Sequence, residues 1–283
     1  MDVGGQQFLK NNFGQATPKQ RTAVIIAAHN ARTLIGTTVR AAIAIPTVDL
    51  IVVVDDGSDD DTAQVARGAG AATVRHSVQR GRSSALETGV KVAAMRDRAD
   101  WPARNILFLD ADLGDSAVEG GALVEAVTRG EADCATAVTP LLPPSFETVN
   151  QRALHFVKAV TGWNCRMPLA TQRCITREAL NAVMPFRSGW SVDLGMTMEL
   201  IVKGYSIVEL PCTFQHQRKA QTTKGHTVSR FVGQYRDIVM TGLWYRLFRQ
   251  KVPTRQRIPL AEQGIGVPYQ RLDAVEVRKV ARS

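Results

Sequence analysis

The sequence predicts an α/β protein built on a mixed, mostly parallel sheet flanked by helices on both faces. Three observations carry that expectation. Continuous apolar runs at residues 23–28, 50–54 and 105–109 have the length of strands buried on both sides. Segments with helical spacing separate them, as crossovers between parallel strands require. The apolar runs also end in His, Asn, Asp and Gly, the residue types suited to the crevice beyond the strand ends where open α/β sheets bind ligands.

Residues 1–22 are rich in Gly, Gln and Asn and read as a loose N-terminal arm. A buried strand follows at 23–28, then a helix over 33–43 that stops before Pro46. The strand at 50–54 ends in Asp55-Asp56-Gly57-Ser58, and Asp61 or Thr62 is placed to cap a short helix reaching Gly68. A third strand is expected near 72–75. The spacing of Ala85, Gly89, Val92 and Ala93 predicts a helix over 82–98. The run at 105–109 then delivers Asp110-Ala111-Asp112. After a Pro-rich break at 140–144, helices are expected at 148–160, 176–183 and 192–203, and a strand at 206–210. Val228, Phe231, Val232, Tyr235, Ile238, Val239, Gly242 and Leu243 follow i, i+3, i+4 spacing, which predicts a basic amphipathic helix over 227–250. A catalytic domain over 23–226 and a tail over 251–283 without periodicity complete the division. There are no internal repeats.

With 45% hydrophobic and 22% charged residues, the composition is that of a soluble globular protein. No apolar run approaches the ~18 residues of a membrane-spanning helix, and residues 1–13 lack the features of a secretory signal. The four cysteines (Cys134, Cys165, Cys174 and Cys212) form no Cys-x-x-Cys pair, so reduced thiols in the cytoplasm are expected. The net charge is +9, and the stretch 218–257 holds ten Lys/Arg against one acid, Asp237. That block suits a phosphorylated ligand or peripheral contact with the inner face of a membrane, and a solvated face explains it equally. Nucleic acid is not the expected partner, because it would not account for the ordered carboxylates.

The most informative motif is Asp110-Ala111-Asp112 at a strand end. Hard divalent cations bind through one or two carboxylates together with substrate phosphates, so this pair reads as a bridge from metal to diphosphate. Asp56, at the end of the second strand, suits hydrogen bonds to a ribose or base, or simply a strand-to-helix turn. Arg82 opens a helix, where free N–H groups already favour an anion. Asp193, at the start of another helix, suits either an N-cap or a general base. His29 ends the first strand and faces the same crevice. His216 gains interest only as a third metal ligand, and His76 and His155 read as structural or exposed.

Taken in order, these motifs resemble family 2 inverting glycosyltransferases of the GT-A, Rossmann-like fold. The resemblance runs through Ala27-Ala28-His29-Asn30, Val54-Asp55-Asp56-Gly57-Ser58, Arg80-Gly81-Arg82-Ser83-Ser84-Ala85-Leu86, Phe108-Leu109-Asp110-Ala111-Asp112-Leu113 and Gly189-Trp190-Ser191-Val192-Asp193. The last of these, with the later Lys203-Gly204-Tyr205-Ser206, is most similar to the polyprenyl- and dolichyl-phosphate glucosyl- or mannosyltransferase branch. The resemblance implies a UDP- or GDP-linked sugar donor and a magnesium or manganese ion. It implies donor contacts at Ala27, His29, Asp56, Arg82, Asp110 and Ala111, with the metal on Asp112 and His216. Asp193 takes the place of the carboxylate that activates the acceptor.

The chain also departs from the family. Ala27, His29 and Ala31 stand where a Pro-x-Tyr-Asn-Glu ending is usual, and Gly114-Asp115-Ser116 replaces a Pro-containing stretch. The membrane anchors of many polyprenyl-phosphate enzymes have no counterpart. The acceptor is therefore open among a polyprenyl phosphate, a sugar and a small-molecule hydroxyl or thiol. A homodimer is compatible with the pattern, as is a non-catalytic nucleotide-sugar-binding protein. A nucleotidyltransferase would carry a Gly-rich basic signature after its first strand, and none follows Ala28.

Overall fold

The structure, a computed structural model, describes residues 20–139, 144–217 and 224–248. Most of the expected arm and the whole of the 251–283 tail lie outside the described residues. Three parallel strands open the fold: β1 (Thr22–Ala28), β2 (Val48–Asp55) and β3 (Ala72–Arg75). Helices α1 (Ile35–Ile43) and α2 (Thr62–Gly68) connect them. Helix α3 (Arg82–Met95) carries the chain back across the sheet to β4 (Asn105–Asp110), which pairs with the other side of β1. A 3₁₀ turn at Gly114–Glu119 leads into α4 (Gly120–Thr128) and β5 (Cys134–Val138). Helix α5 (Pro144–Thr161) precedes the short strand β6 (Arg173–Ile175), and α6 (Arg177–Val183) follows it. After a second 3₁₀ turn, Gly189–Ser191, come α7 (Val192–Val202), β7 (Ile207–Pro211) and α8 (Lys224–Phe248). Among the described residues seven strands lie in the order β3-β2-β1-β4-β6-β5-β7, and of these β6 alone runs antiparallel to its neighbours.

Alternate residues of each central strand enter opposite cores, which is why these strands read as unbroken apolar runs. Ala23 and Ile25 of β1 join Val52, Ile106 and Phe108 in a core beneath α3, α5 and α7. Val24 and Ile26 join Val53, Leu107 and Leu109 in the core beneath α1 and α4. Each fully buried side chain of this size contributes about 1.5–3 kcal/mol. Helix α3 meets β1 at Gly89, where a Cβ would lie 2.4 Å from Ile25 Cγ2. At the amino ends of the strands, Arg104 donates to Asp49 at 2.7 and 2.9 Å and to Asp97 at 2.9 Å. This clamp joins β4 to the start of β2, away from the crevice.

Several boundaries differ from expectation. Helix α1 starts at Ile35, α3 stops at Met95, α5 begins at Pro144, and α8 begins at Lys224 rather than 227. Asp61 makes no side-chain cap on α2; Asp60 Oδ1 accepts from the Thr62 N–H at 3.0 Å instead. All four cysteines are free and buried, and burial pushes the Cys134 thiol up to about 12 and that of Cys212 to about 11. Among the described residues, no helix is long and apolar enough to cross a membrane.

Candidate active site

Between β1 and β4 the chain order reverses, and this opens a crevice at the carboxyl ends of the strands. The register pairs Ala28 with Asp55 and Ala27 with Asp110, so His29, Asp56 and the Asp110 loop all emerge at that end. His29 Nδ1 lies 3.1 Å from the Asp56 carbonyl oxygen. Ala27 is half-buried beside Asp110, whereas the Ala111 side chain is buried and its carbonyl accepts from Thr38 Oγ1 at 3.0 Å.

The Asp56 carboxylate is turned into the protein and meets the loop that precedes α3. It meets His76 Nδ1 at 2.7 Å and accepts from the backbone N–H groups of Arg80 at 2.9 Å and Gly81 at 2.8 Å. Burial works to raise its pKa. The Arg80 N–H, the His76 ring and the Gly81 N–H outweigh that and hold the carboxyl below its ordinary value. Gly57 makes the approach feasible: its φ is 73°, and a Cβ there would lie 2.8 Å from the Gln79 nitrogen. Asp56 thus fixes the loop that begins α3.

That loop aims Arg82. Its Nη1 donates to both Asp193 oxygens, at 3.0 and 2.8 Å, and its Nη2 lies 3.6 Å from Asp110 Oδ1. Burial opposes the Arg82 charge, but Asp193 and Asp110 more than offset this and its pKa is raised. A cation in the first turn of a helix, unfavourable by itself, is therefore held by two acids from other elements. Asp193 is in the first turn of α7 but makes no cap; its carboxylate, 8% exposed, faces Arg82 and, at 3.7 Å, the fully buried Arg173.

Asp110 Oδ2 accepts from Thr171 Oγ1 at 2.7 Å and Gln172 Nε2 at 2.8 Å. Asp112 Oδ1 lies 3.0 Å from His216 Nδ1, and the Asp112 carbonyl accepts from the Gln217 N–H at 3.0 Å. Gly114, at φ 54°, lets the two loops touch, since a Cβ there would meet Gln217 Nε2 at 2.8 Å. Asp110, Asp112 and His216 each offer a ligand atom, and these atoms all lie within 4.8 Å of one another. Two carboxylates and an imidazole make a donor set that suits magnesium or manganese. The side chain of His226 lies outside the described residues, as does that of Trp190.

Sequence reasoning missed three residues that shape this site. Thr171, Gln172 and Arg173 come from a loop and a three-residue strand too short to show periodicity. His76, read as structural or exposed, is buried and holds Asp56.

Residues 23–180, more than half of the chain, match the family described as Glycosyl transferase family 2. The chain belongs to that family. An uncharacterized protein of Methanocaldococcus jannaschii is 35% identical over 94 residues, covering 33% of this chain and 36% of that protein. The chain thus matches about a third of that relative's length. Among solved structures, glucosyl-3-phosphoglycerate synthase from Mycobacterium tuberculosis is similar in its complex with Mn2+, uridine diphosphate and phosphoglyceric acid. The TM-score is 0.65 at 19% identity, over 84% of this chain and 82% of that one. The same synthase with Mg2+ and uridine diphosphate gives a TM-score of 0.61 at 19% identity, over 84% and 82%. This family 2 chain therefore has the GT-A fold, with its mostly parallel sheet and flanking helices.

Proposed function

We propose that this family 2 protein is a metal-dependent, inverting glycosyltransferase that uses a UDP- or GDP-linked sugar. The observation that carries the reading is the convergence of Asp110, Asp112 and His216 at the β1/β4 crevice, with Arg82 bound to Asp110 beside them. The mycobacterial synthase structures, with uridine diphosphate and Mn2+ or Mg2+ in their complexes, support a nucleotide-sugar donor.

Asp112 and His216, with Asp110, would hold the cation, which when bound supplies Lewis-acid stabilisation of the charge developing on the diphosphate. Thr171 and Gln172 fix the Asp110 carboxylate by donating to its Oδ2. Among the described residues Arg82 pairs with both Asp110 and Asp193, so an incoming diphosphate competes with Asp193 for its guanidinium. As Arg82 turns to the donor, Asp193 is released to accept a proton from the acceptor hydroxyl. A positioned base of this kind is worth about 100- to 10,000-fold in rate. Attack from the face opposite the departing diphosphate inverts the anomeric carbon.

Three acceptor classes fit: a polyprenyl phosphate, a sugar, and a hydroxyl or thiol of a small metabolite. An acceptor that is already ionised needs no base, so Asp193→Asn separates these classes by the size of its kcat loss. The direct test is a thermal-shift screen of UDP-, GDP- and dTDP-sugars with and without Mn2+. A donor at about 100 times its Kd adds about 2.7 kcal/mol of stability. The reading predicts stabilisation by one donor class, dependent on Mn2+ and lost in Asp112→Ala. It also predicts an inverted anomer by proton NMR of the product. Retention of configuration would remove Asp193 as the base, and donor binding without any transfer or hydrolysis would favour a nucleotide-sugar-binding protein.

A further inference from the structure

Helix α8 is apolar on two opposite faces. Its inner face buries Ile238, Thr241 and Tyr245 at 1%, 8% and 0% exposure. Gly242 lies so close to Phe156 that a Cβ would be 2.2 Å from the ring. The Tyr245 hydroxyl donates to Glu199 of α7 at 3.0 Å. On the opposite face, Val232, Arg236, Met240, Leu243 and Leu247 follow one another at spacings of three and four and form a single ridge. Val232, Met240 and Leu247 are 58%, 62% and 69% exposed, and Phe248 at the end of the helix is 74% exposed. Apart from Arg236 this exposed ridge is apolar, and an exposed apolar patch of this kind marks an interaction surface.

Charge indicates what covers it. The stretch 218–257 holds ten cations and one acid; that acid, Asp237, accepts from Arg236 at 3.1 Å through Oδ1, and its Oδ2 is 2.5 Å from where a Cβ on Gly189 would lie. A second copy would bring a cation-rich, nearly acid-free face against its like. The segment that follows Phe248 carries Arg249, Lys251, Arg255 and Arg257 with no acid among residues 249–257, so it would be repelled in the same way.

We propose that the outer ridge of α8 docks on an anionic lipid bilayer. Val232, Met240, Leu243, Leu247 and Phe248 enter the headgroup region, while Arg236 and Arg246 meet lipid phosphates. The proposal does not depend on sugar transfer. It does have a consequence for the site, because the inner face of α8 rests on the Gly189–Ser191 turn that starts α7 and carries Asp193.

The test is co-sedimentation of the full chain with vesicles containing phosphatidylglycerol, set against vesicles of phosphatidylcholine alone. The expected result is binding to the anionic vesicles only, weakened by salt. It should fall at least about tenfold in Met240→Glu/Leu247→Glu and about fivefold in Arg236→Gln, with thermal stability unchanged. Equal binding to both vesicle types would overturn the proposal. So would a double variant that binds as before, or one that turns a dimer into a monomer by light scattering while the parent ignores vesicles. Asp112→Ala should bind vesicles like the parent, so failure of the donor-site reading leaves this result standing.

Discussion

Replacing Asp56 with alanine isolates the loop that aims Arg82. Three donors lose their acceptor: the His76 ring at 2.7 Å and the backbone N–H groups of Arg80 and Gly81 at 2.9 and 2.8 Å. Arg80 is exposed and Gly81 half-buried, so water can replace the acceptor there at about 1 kcal/mol each. His76 is 7% exposed and loses a buried charged partner, which costs about 2–3 kcal/mol. The expected destabilisation is therefore about 4–5 kcal/mol near neutral pH. Urea unfolding followed by far-ultraviolet circular dichroism would show it as a midpoint lowered by about 1 M or more. The difference has a pH signature. Because the Asp56 pKa is lowered in the folded state, its contribution is complete above the ordinary value of 3.8 and is lost as pH falls through the lower folded value. The gap between parent and variant should hold from pH 7 to about pH 4 and shrink below that. A gap under about 1 kcal/mol at pH 7, or one that widens in acid, would refute the assignment.

Other perturbations have equally definite outcomes. Gly89→Ala puts a methyl 2.4 Å from Ile25 Cγ2 and should cost about 1–2 kcal/mol despite the better helix propensity of alanine. In an Ile25→Ala background the same change should be neutral or stabilising by thermal denaturation, and persistence of the cost there would contradict the packing account. Arg104→Leu leaves Asp49 and Asp97 without their main cation and should destabilise the fold by about 3 kcal/mol in chemical denaturation. Thr171→Val removes one of the two donors to Asp110 Oδ2 and should weaken cation affinity about tenfold at little cost in melting temperature. Unchanged affinity would take Thr171 out of the site.

How much of this was legible depended on run length and direction. Strands β1, β2 and β4 showed as apolar runs because both their faces are covered. Strand β5, Cys-Ala-Thr-Ala-Val, is buried through small residues that give no strong signal, and β6 is three residues long. The missing β6 hid Thr171, Gln172 and Arg173, whose importance lies only in where an antiparallel insertion places them. The pair at Asp110 and Asp112 was readable because residues two apart at a strand end emerge into the same crevice. Asp56 was recognisable as a polar strand end, yet an acid there serves a ligand or its own loop with the same sequence, and here it meets the loop. In α8 the periodic series merged two faces into one: Ile238 and Gly242 point inward, while Val232 and Leu243 lie on the open ridge. Helical spacing reveals apolar stripes but not which of two is covered.

The central claim is that Asp110, Asp112 and His216 hold one divalent cation for a nucleoside diphosphate. Titration of Mn2+ monitored by electron paramagnetic resonance, with and without uridine or guanosine diphosphate, tests it most directly. The account predicts a single bound ion, held more tightly in the presence of one of the two nucleotides and lost in both Asp112→Ala and His216→Ala. Equal Mn2+ binding by the parent and Asp112→Ala would contradict it.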